Sequence, residues 1–302
     1  MFTTAVETAQ KYTRAVHFVS RPHGTSTPCA GAATIILVND KGWALTCKHV
    51  ANEIAAAGPL EMRYRAFKAQ LAARPSDKTE EEWVQQTEAA FNLKPGVTAQ
   101  LQTAFVNCVD KHTTLEIRVH ATLDLALIRF DGFAQVHCME FPVFGSDAQY
   151  LKPGKFLCRL GFPFPEFTNF TYDAASDALQ WTPSGRTGTP YFPIEGMVTR
   201  HVGLDEHTII GFEMSTPGLR GQSGGPAFDT NGIVWGMQSA TGHHDLDFDV
   251  DIKVVRNGVE TQVKDSAFLH VGHCVHVSAL KEFMRANSVS FREEPGAKAN
   301  AA

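Results

Sequence analysis

Short apolar runs, many of them rich in β-branched residues, recur along both halves of the chain. Thr34 to Val38 and Trp43 to Cys47 are two such runs, and Asn39-Asp40-Lys41-Gly42 between them predicts a hairpin turn. Further strands are predicted at residues 114–122, 123–128, 155–162, 194–201, 208–214, 233–238 and 268–277. Runs of this length, separated by turn residues, predict an all-β core.

Helical patterns occupy one long interval and the end of the chain. Residues 60–73 are helical in composition, and Asp77 with Glu80 is a candidate capping box for a second helix that runs to Ala90. A third apolar-periodic run covers Val97 to Val109. We therefore predict an α-helical insertion at 55–108, and a C-terminal helix at 278–287.

The order of these elements predicts two β units. Residues 141–154 form a polar connector, which divides a first unit at 14–145 from a second unit at 146–290 that ends in the C-terminal helix. Residues 165–190, rich in Thr, Ser, Asp, Gly and Pro, are predicted to form a long loop. Residues 291–302 are predicted to be a disordered tail.

Composition narrows the class of protein. The 302 residues carry a net charge of −5 without a basic run, so neither nucleic acid nor a membrane surface is an expected partner. No apolar run approaches about 18 residues, and residues 1–16 show no secretory signal. The six scattered cysteines form no Cys-x-x-Cys pair. We expect reduced thiols, a cytoplasmic location, and neither a metal nor a cofactor.

The strongest candidate for a catalytic loop is the stretch Gly221-Gln222-Ser223-Gly224-Gly225-Pro226. Glycines permit a sharp turn that exposes the Ser223 hydroxyl and aims the backbone N–H groups of Gly221 and Ser223 at one spot. An oxyanion is held in this way during acyl transfer. The same hexapeptide is also compatible with an ordinary turn.

Two other positions fit acyl-transfer chemistry. Asp124 interrupts an otherwise apolar run, and a buried carboxylate needs a partner. His49, which follows a predicted strand, is a natural partner, because a carboxylate can orient an imidazole and stabilise its charged form. Alone, His49 is also compatible with a buried structural histidine, and Asp124 with an aspartate that caps a turn.

The order His49, Asp124, Ser223 resembles that of the chymotrypsin-like serine proteases. The resemblance is carried by Leu45-Thr46-Cys47-Lys48-His49-Val50, Asp124-Leu125-Ala126-Leu127 and the Ser223 loop. The resemblance is strongest to the Deg-type (high-temperature-requirement) branch, because of Gly161-Phe162-Pro163-Phe164, Arg220 and Gly236-Met237-Gln238-Ser239-Ala240. We expect no counterpart of that branch's C-terminal peptide-binding domain.

The resemblance implies a double β-barrel and a serine endopeptidase. Ser223 would be the nucleophile, His49 the general base and acid, and Asp124 the orienting carboxylate. The N–H groups of Gly221 and Ser223 would form the oxyanion hole. The rival interpretation is a catalytically silent homologue that binds extended peptides as a recognition or scaffold module. Protein or peptide substrates are the expected partners in both cases.

The resemblance also implies a set of substrate-binding residues. Ser239 would lie on the strand that pairs with the substrate backbone, with its hydroxyl near Asp124. Because Pro217 occupies the pocket base, no carboxylate is expected there, and small or medium apolar residues should be preferred before the cleaved bond. The full set is Pro217, Gly218, Gln238, Ser239, Ala240, Thr241 and Gly272.

Three other features have two interpretations each. The aspartates at 245, 247, 249 and 251 are interpreted as a solvated hairpin face rather than a metal site. Cys47 is interpreted as a packing thiol rather than a nucleophile. The insertion either packs on the barrel as structural padding or recruits a regulatory partner through its apolar face, which comprises Leu60, Tyr64, Phe67, Leu71, Trp83, Val84 and Phe91.

Overall fold

The computed structural model describes residues 1–146, 150–203 and 208–295, except for the side chain of Asp265. Within these ranges the helices are α1 (Thr3–Ala9), α2 (Lys48–Ala72), α3 (Glu80–Ala90) and α4 (Val277–Ala286). None of them is both long enough and apolar enough to cross a membrane.

Six antiparallel strands form the first sheet, in the order β4-β1-β2-β3-β6-β5. They are β1 (Thr13–Pro22), β2 (Cys29–Leu37), β3 (Trp43–Thr46), β4 (Thr98–Phe105), β5 (Thr114–Val119) and β6 (Ala126–Asp131). Ile36 lies opposite Leu45, so β2 and β3 form the predicted hairpin. Its turn requires glycine: Gly42 has φ +76°, and a Cβ there would lie 2.9 Å from the carbonyl oxygen of Phe130.

The remaining strands follow the first sheet in the chain. They are β7 (Val143–Phe144), β8 (Phe156–Gly161), β9 (Phe170–Asp173), β10 (Ala178–Trp181), β11 (Phe192–Gly203), β12 (Ile209–Met214), β13 (Pro226–Phe228), β14 (Ile233–Arg256), β15 (Val259–His276) and β16 (Arg292–Glu293). The short strand β13 pairs with both β8 and β14, so β13-β8-β11-β12-β15-β14 closes into a ring.

One buried hydrophobic cluster joins residues of both sheets, among them Ile35, Leu45 and Leu127 from the first and Leu160 and Met237 from the second. The α4 side chains Leu280 and Met284 are buried in the same cluster. The all-β double barrel with a helical insertion and a C-terminal helix, predicted from the sequence, is confirmed.

The predicted insertion differs from the structure at both ends. Helix α2 begins at Lys48 and runs through Gly58-Pro59, so the first helix of the insertion is continuous with the turn that carries His49. The prediction of a third helical run at Val97–Val109 is wrong, because Thr98–Phe105 is strand β4. Its residues pair with β1, and Ala99 and Leu101, two positions apart, are both buried.

The insertion buries its apolar face against this chain. Tyr64 and Phe67 of α2 pack with Leu93 and Ala99 in a small separate cluster. Trp83 of α3 is 8% exposed, and its indole N–H donates to the carbonyl of Gln70. This packing supports the padding interpretation for those side chains.

Two regions predicted to be irregular contain strands. Strands β9 and β10 form a hairpin within the predicted loop at 165–190, and Phe167 and Leu179 pack with Val19 of β1 in a cluster of their own. The predicted tail begins with β16, which pairs in parallel with β7. The rest of that tail, residues 296–302, lies outside the described residues.

A long ribbon of β14 and β15 carries the run of aspartates at 245–251, and all four side chains are exposed. At its tip Asn257 and Gly258 have φ +53° and +80°, as in a type I′ turn. The alternating residues Leu246, Phe248 and Val250 are exposed as well, so this part of the ribbon has solvent on both faces.

Candidate active site

The first turn of α2 presents His49 beside Asp124, which lies two residues before the start of β6. The first N–H groups of a helix have no partner within it, and the N-cap residue Cys47 makes no side-chain capping bond. The backbone N–H of His49 instead donates to Asp124 Oδ1 at 3.0 Å. The carboxylate therefore caps a helix that belongs to a distant part of the sequence.

The same carboxylate holds the imidazole of His49. Nδ1 of His49 lies 2.8 Å from Asp124 Oδ2. This hydrogen bond raises the pKa of His49, against the opposing effect of burial. Burial alone would raise the pKa of Asp124, but the hydrogen bonds from the His49 ring and backbone outweigh it, so the pKa is lowered. The Asp124 carboxylate therefore increases the affinity of the His49 imidazole for a proton.

The Ser223 loop is attached to the first sheet through Thr34 of β2. The Thr34 N–H donates to the carbonyl of Ser223 at 3.0 Å, and its hydroxyl donates to the carbonyl of Gly221 at 2.8 Å. A Cβ on Gly224 would lie 2.0 Å from the Thr34 carbonyl oxygen, so only glycine permits this approach. These contacts place the serine at the junction of the two sheets.

The backbone around Gly221 is a tight turn. Gln222 N–H donates to the carbonyl of Leu219 at 2.9 Å, and Gly221 has φ +99°, the sign found at the third position of a type II turn. A Cβ at Gly221 would lie 2.4 Å from the carbonyl oxygen of Phe162. Neither the Gly221 nor the Ser223 N–H donates to any acceptor in the described ranges, so both remain available to a ligand.

Gln222 holds this turn from inside, a role that the sequence analysis missed. Its side chain is completely buried. Oε1 accepts from the Leu219 N–H at 3.0 Å, and Nε2 donates to the carbonyl of Phe192 at 3.2 Å. A polar side chain next to the candidate nucleophile was the available signal, but the sequence alone does not say whether that side chain points inward.

The segment from Ser239 to Thr241 lies at an open edge of the second sheet. Pairing between β13 and β14 ends at Met237, whereas β15 continues on the other side, with a bulge at Ser239. In the described ranges Ser239–Thr241 thus has a neighbouring strand on one side, and its other side can accept an extended peptide.

The Ser239 hydroxyl, predicted to lie near Asp124, has a hydrogen-bond acceptor of its own. Ser239 and Asp124 line the same cavity, of about 200 Å³. The hydroxyl, however, donates to the carbonyl of His273 at 3.2 Å. The carbonyl of Ser239 accepts from the Ser223 hydroxyl at 3.4 Å.

The residues assigned to the specificity pocket meet around two buried polar side chains. Thr241 Oγ1 donates to the carbonyl of Gly218 at 2.7 Å, and a Cβ on Gly218 would lie 2.1 Å from Gln238 Nε2. Gly272 and Pro217 instead meet the guanidinium of Arg159, a residue that the sequence analysis passed over. The signal was present: Arg159 interrupts an apolar strand, as Asp124 interrupts another.

Cys47 stands close to the His49–Asp124 pair. The potential ligand atoms of Cys47, His49 and Asp124 lie within 4.8 Å of one another, the one such metal-competent cluster among the described residues. Burial first, and the Asp124 carboxylate next, raise the pKa of the Cys47 thiol well above its usual range. A thiol that stays protonated is a poor metal ligand and a poor nucleophile, and its Sγ donates to the Gln238 carbonyl at 3.2 Å.

Two exposed charges flank the pair. Glu53, one turn after His49 on α2, contributes to raising the pKa of His49. Burial raises the pKa of Glu53 itself, opposed by the charge of Arg220. Arg220 directly precedes Gly221, so the helix and the turn carry opposite charges close to His49.

Comparison with known proteins identifies the family. The model of the trypsin-like peptidase domain family matches residues 33–237, more than half of the chain, and the chain therefore belongs to that family. The match includes His49, Asp124 and Ser223. Comparison with curated proteins gave no significant match.

Among solved structures, the chain is similar to the HtrA-type protease AlgW with a decapeptide (12% identity, TM-score 0.46) and to a variant of AlgW with a tripeptide (12%, 0.47) or a decapeptide (11%, 0.45). Each comparison covers 95% of this chain. The chain spans 67%, 63% and 66% of the length of those three chains, respectively.

Proposed function

We propose that this chain is a serine endopeptidase that cleaves peptide bonds in protein substrates through an acyl-enzyme. Ser223 is the nucleophile, His49 the general base and acid, and Asp124 the carboxylate that orients the imidazole. The N–H groups of Gly221 and Ser223 form the oxyanion hole. The observation that carries the proposal is the double hydrogen bond between Asp124 and His49.

In the first half of the reaction, the Ser223 oxygen attacks the peptide carbonyl carbon while its proton passes to His49 Nε2. The oxyanion that develops accepts hydrogen bonds from Gly221 and Ser223. The carbon–nitrogen bond then breaks, and His49 returns the proton to the leaving amine. A water molecule, activated by His49 in the same way, releases the acyl group and restores the serine.

Several contacts support these roles. Asp124 fixes the Nδ1 side of the ring, which leaves Nε2 to exchange the proton. The positive φ of Gly221 supports the oxyanion role, as do the N–H groups of Gly221 and Ser223, which donate to no acceptor among the described residues. The open side of Ser239–Thr241 supports an extended peptide as substrate.

The test is labelling of the intact chain with a fluorophosphonate probe near pH 8, with the modified residue located by mass spectrometry. We expect a single adduct on Ser223. Ser223→Ala should abolish the labelling and His49→Ala should reduce it severely, because the two residues act as a unit. Both variants should unfold at the wild-type denaturant concentration. Wild-type protein that is folded but unlabelled would refute catalytic competence.

A second candidate function is a catalytically silent homologue that binds peptides. One observation favours it: the Ser223 hydroxyl donates to Ser239 rather than to His49. In the enzyme this is a resting orientation that rotation of the serine side chain changes. In a silent homologue the hydroxyl would remain there, and peptides would bind without reaction at Ser223.

We also infer a reducing, cytoplasmic setting. All six cysteines are free thiols, and four of them are buried.

Protein or peptide substrates are the proposed partners, and the edge at Ser239–Thr241 is the surface that would pair with them.

A further inference from the structure

The side chain of Arg159 on β8 reaches the base of the predicted specificity pocket. Its Nη1 donates to Gln238 Oε1 at 2.5 Å, and its Nη2 donates to the carbonyl of Pro217 at 3.0 Å. A Cβ on Gly272 would lie 2.0 Å from Nη1. Gly272 therefore leaves the space that the guanidinium fills, between residues that the sequence analysis assigned to an apolar pocket.

This guanidinium has no carboxylate partner among the described residues. Its other hydrogen bonds also go to neutral oxygens, namely the carbonyl (2.9 Å) and hydroxyl (2.6 Å) of Thr216. The buried carboxylate of Glu213 is held elsewhere, by Arg200 at 2.5 and 2.7 Å. Arginine stays protonated in proteins, so a full positive charge lies in the pocket without an opposite charge.

Two further observations show that the charge is incompletely satisfied. Arg159 is 0% exposed, and its buried Nε has no hydrogen-bond partner in the described part of the chain. Burial lowers the pKa of Arg159. An uncompensated buried charge is costly, and a site that carries one gains from a ligand of opposite charge.

Gln238 occupies the position next to this charge. Its amide oxygen accepts from Arg159, and its amide nitrogen donates to the carbonyl of Ala240 at 2.7 Å. Ala240 lies on the edge segment that would pair with substrate. A neutral oxygen is thus held where a carboxylate oxygen would bind more strongly, because a carboxylate adds the attraction of an opposite charge to the hydrogen bond.

We propose that the pocket selects an acidic side chain, Glu or Asp, at the residue that precedes the cleaved bond, with Arg159 as the specificity-determining residue. The carboxylate displaces the Gln238 amide oxygen from Arg159. This inference rests on the proposed function, because it concerns the substrate of the proposed endopeptidase. It replaces the apolar preference that was expected from Pro217. Lysine and arginine are excluded by like charge.

The experiment compares inactivation of the full chain by peptidyl diphenyl phosphonates that differ at one residue: Glu, Gln, Leu or Lys. Glu and Gln have nearly the same shape, so their ratio isolates the charge. We expect Glu to react about 10- to 100-fold faster than Gln, the worth of one charged hydrogen bond. Leu and Lys should be slower still. Equal rates for Glu and Gln would overturn the inference.

Arg159→Met removes the charge from the pocket while keeping an unbranched buried side chain, and it should bring the Glu-to-Gln ratio close to one. Arg186→Met removes an exposed arginine that pairs with Glu166 and does not contact the pocket residues, and it should leave the ratio unchanged. If Arg159→Met does not fold, the inference can be tested with the wild type alone. Its Glu-to-Gln ratio should be about 10 to 100 at neutral pH, and a ratio of one would contradict the inference.

The two proposals fail separately. Fluorophosphonate labelling of Ser223 together with a preference for Leu would refute only the acidic pocket. A folded wild type without labelling would refute the enzyme, and the pocket would then be tested by equilibrium binding of peptides that end in Glu amide or Gln amide. Tighter binding of the Glu peptide, lost in Arg159→Met, would support the pocket, whereas equal affinity would overturn it.

Discussion

Asp124 accepts two hydrogen bonds from the same residue: its Oδ1 from the backbone N–H of His49 and its Oδ2 from the ring at Nδ1. One carboxylate therefore fixes both the start of helix α2 and the direction of the imidazole. The two interpretations of Asp124 that the sequence allowed, a cap and a catalytic partner, describe the same geometry.

Asp124→Asn should separate the two roles. An amide oxygen can still accept from the His49 N–H, so the free energy of unfolding should change by less than about 1 kcal/mol. The neutral side chain no longer stabilises a protonated imidazole, so kcat should fall by roughly 10³- to 10⁴-fold. Asp131→Asn, at the other end of β6, is the control. Retention of near-wild-type kcat would contradict the role proposed for Asp124.

Glu53→Gln should move the acid limb of the pH profile. Asp124 first, and Glu53 less strongly, raise the pKa of His49, and the proposed reaction needs the neutral imidazole. Removal of the Glu53 charge lowers the His49 pKa, so kcat/KM should persist to lower pH than in the wild type. Glu61→Gln, three turns further along α2 than His49, should leave the profile in place. A shift to higher pH in Glu53→Gln would contradict this electrostatic assignment.

Gln222→Leu should loosen the turn that presents the Gly221 N–H. It removes both buried hydrogen bonds of the Gln222 side chain, to Leu219 and Phe192. We expect a loss of about 1–3 kcal/mol in the free energy of unfolding, because a donor and an acceptor are left unpaired. The value of kcat should fall roughly 10- to 100-fold while KM changes little, since the turn serves the transition state.

The control for this variant is Gln85→Leu, an exposed change on α3 that should alter neither quantity. A merely structural role for Gln222 would lower stability and leave kcat of the folded fraction at the wild-type value. Measurement of kcat after active-site titration of the folded enzyme distinguishes the two outcomes.

Asp177→Asn should weaken the attachment of the β9–β10 hairpin to the insertion. Asp177 pairs with Arg21 of β1 at 2.9 Å and accepts from the Tyr64 hydroxyl of α2 at 2.7 Å. Arg21 is nearly buried whereas Asp177 is one-third exposed, so we expect a loss of about 1–3 kcal/mol by urea denaturation. Asp173→Asn on the same hairpin should cost less, and labelling of Ser223 should persist in both variants.

The sequence predicted correctly those elements whose residue pattern fits only one type of secondary structure. The β2–β3 hairpin and α4 follow from short apolar runs and clear turn or helix signals. Thr98–Phe105 was assigned to a helix because its apolar residues fit both periods, and only pairing with β1 decides between them. Strands β9 and β10 were missed because polar residues dominate that region, although Phe170, Tyr172 and Trp181 pack there.

The same limit applies to the candidate site. His49, Asp124 and Ser223 could be selected because their chemistry is unusual in their local surroundings. Pro217 and Gly272, in contrast, suggested an apolar pocket because they carry no charge themselves. The charge comes from Arg159, more than fifty residues away in sequence, and the ring closed by β13 is what brings it beneath them. Side-chain direction across a closed barrel is a property of the register, which the sequence pattern does not specify.

The last prediction concerns acid stability and rests on two buried histidines. His17 stacks on Phe167 with ring centroids 3.9 Å apart, and burial lowers its pKa from 6.5 to about 4. His276 caps α4, with Nδ1 accepting from the Ser278 N–H at 3.2 Å. Burial, and then the charges of His201 and Lys281, lower the pKa of His276 to about 4 as well.

The folded-state pKa of each lies below the unfolded value, so between about pH 6.5 and 4 the unfolded chain binds more protons. Stability should therefore fall as pH drops through that window, by about 3 kcal/mol for each histidine. His276→Asn keeps a capping acceptor but cannot titrate. Its free energy of unfolding should consequently change less between pH 7 and 4.5 than that of the wild type. His137→Asn, at an exposed site, should retain the wild-type slope, and an unchanged slope in His276→Asn would show that His276 is not protonated on unfolding.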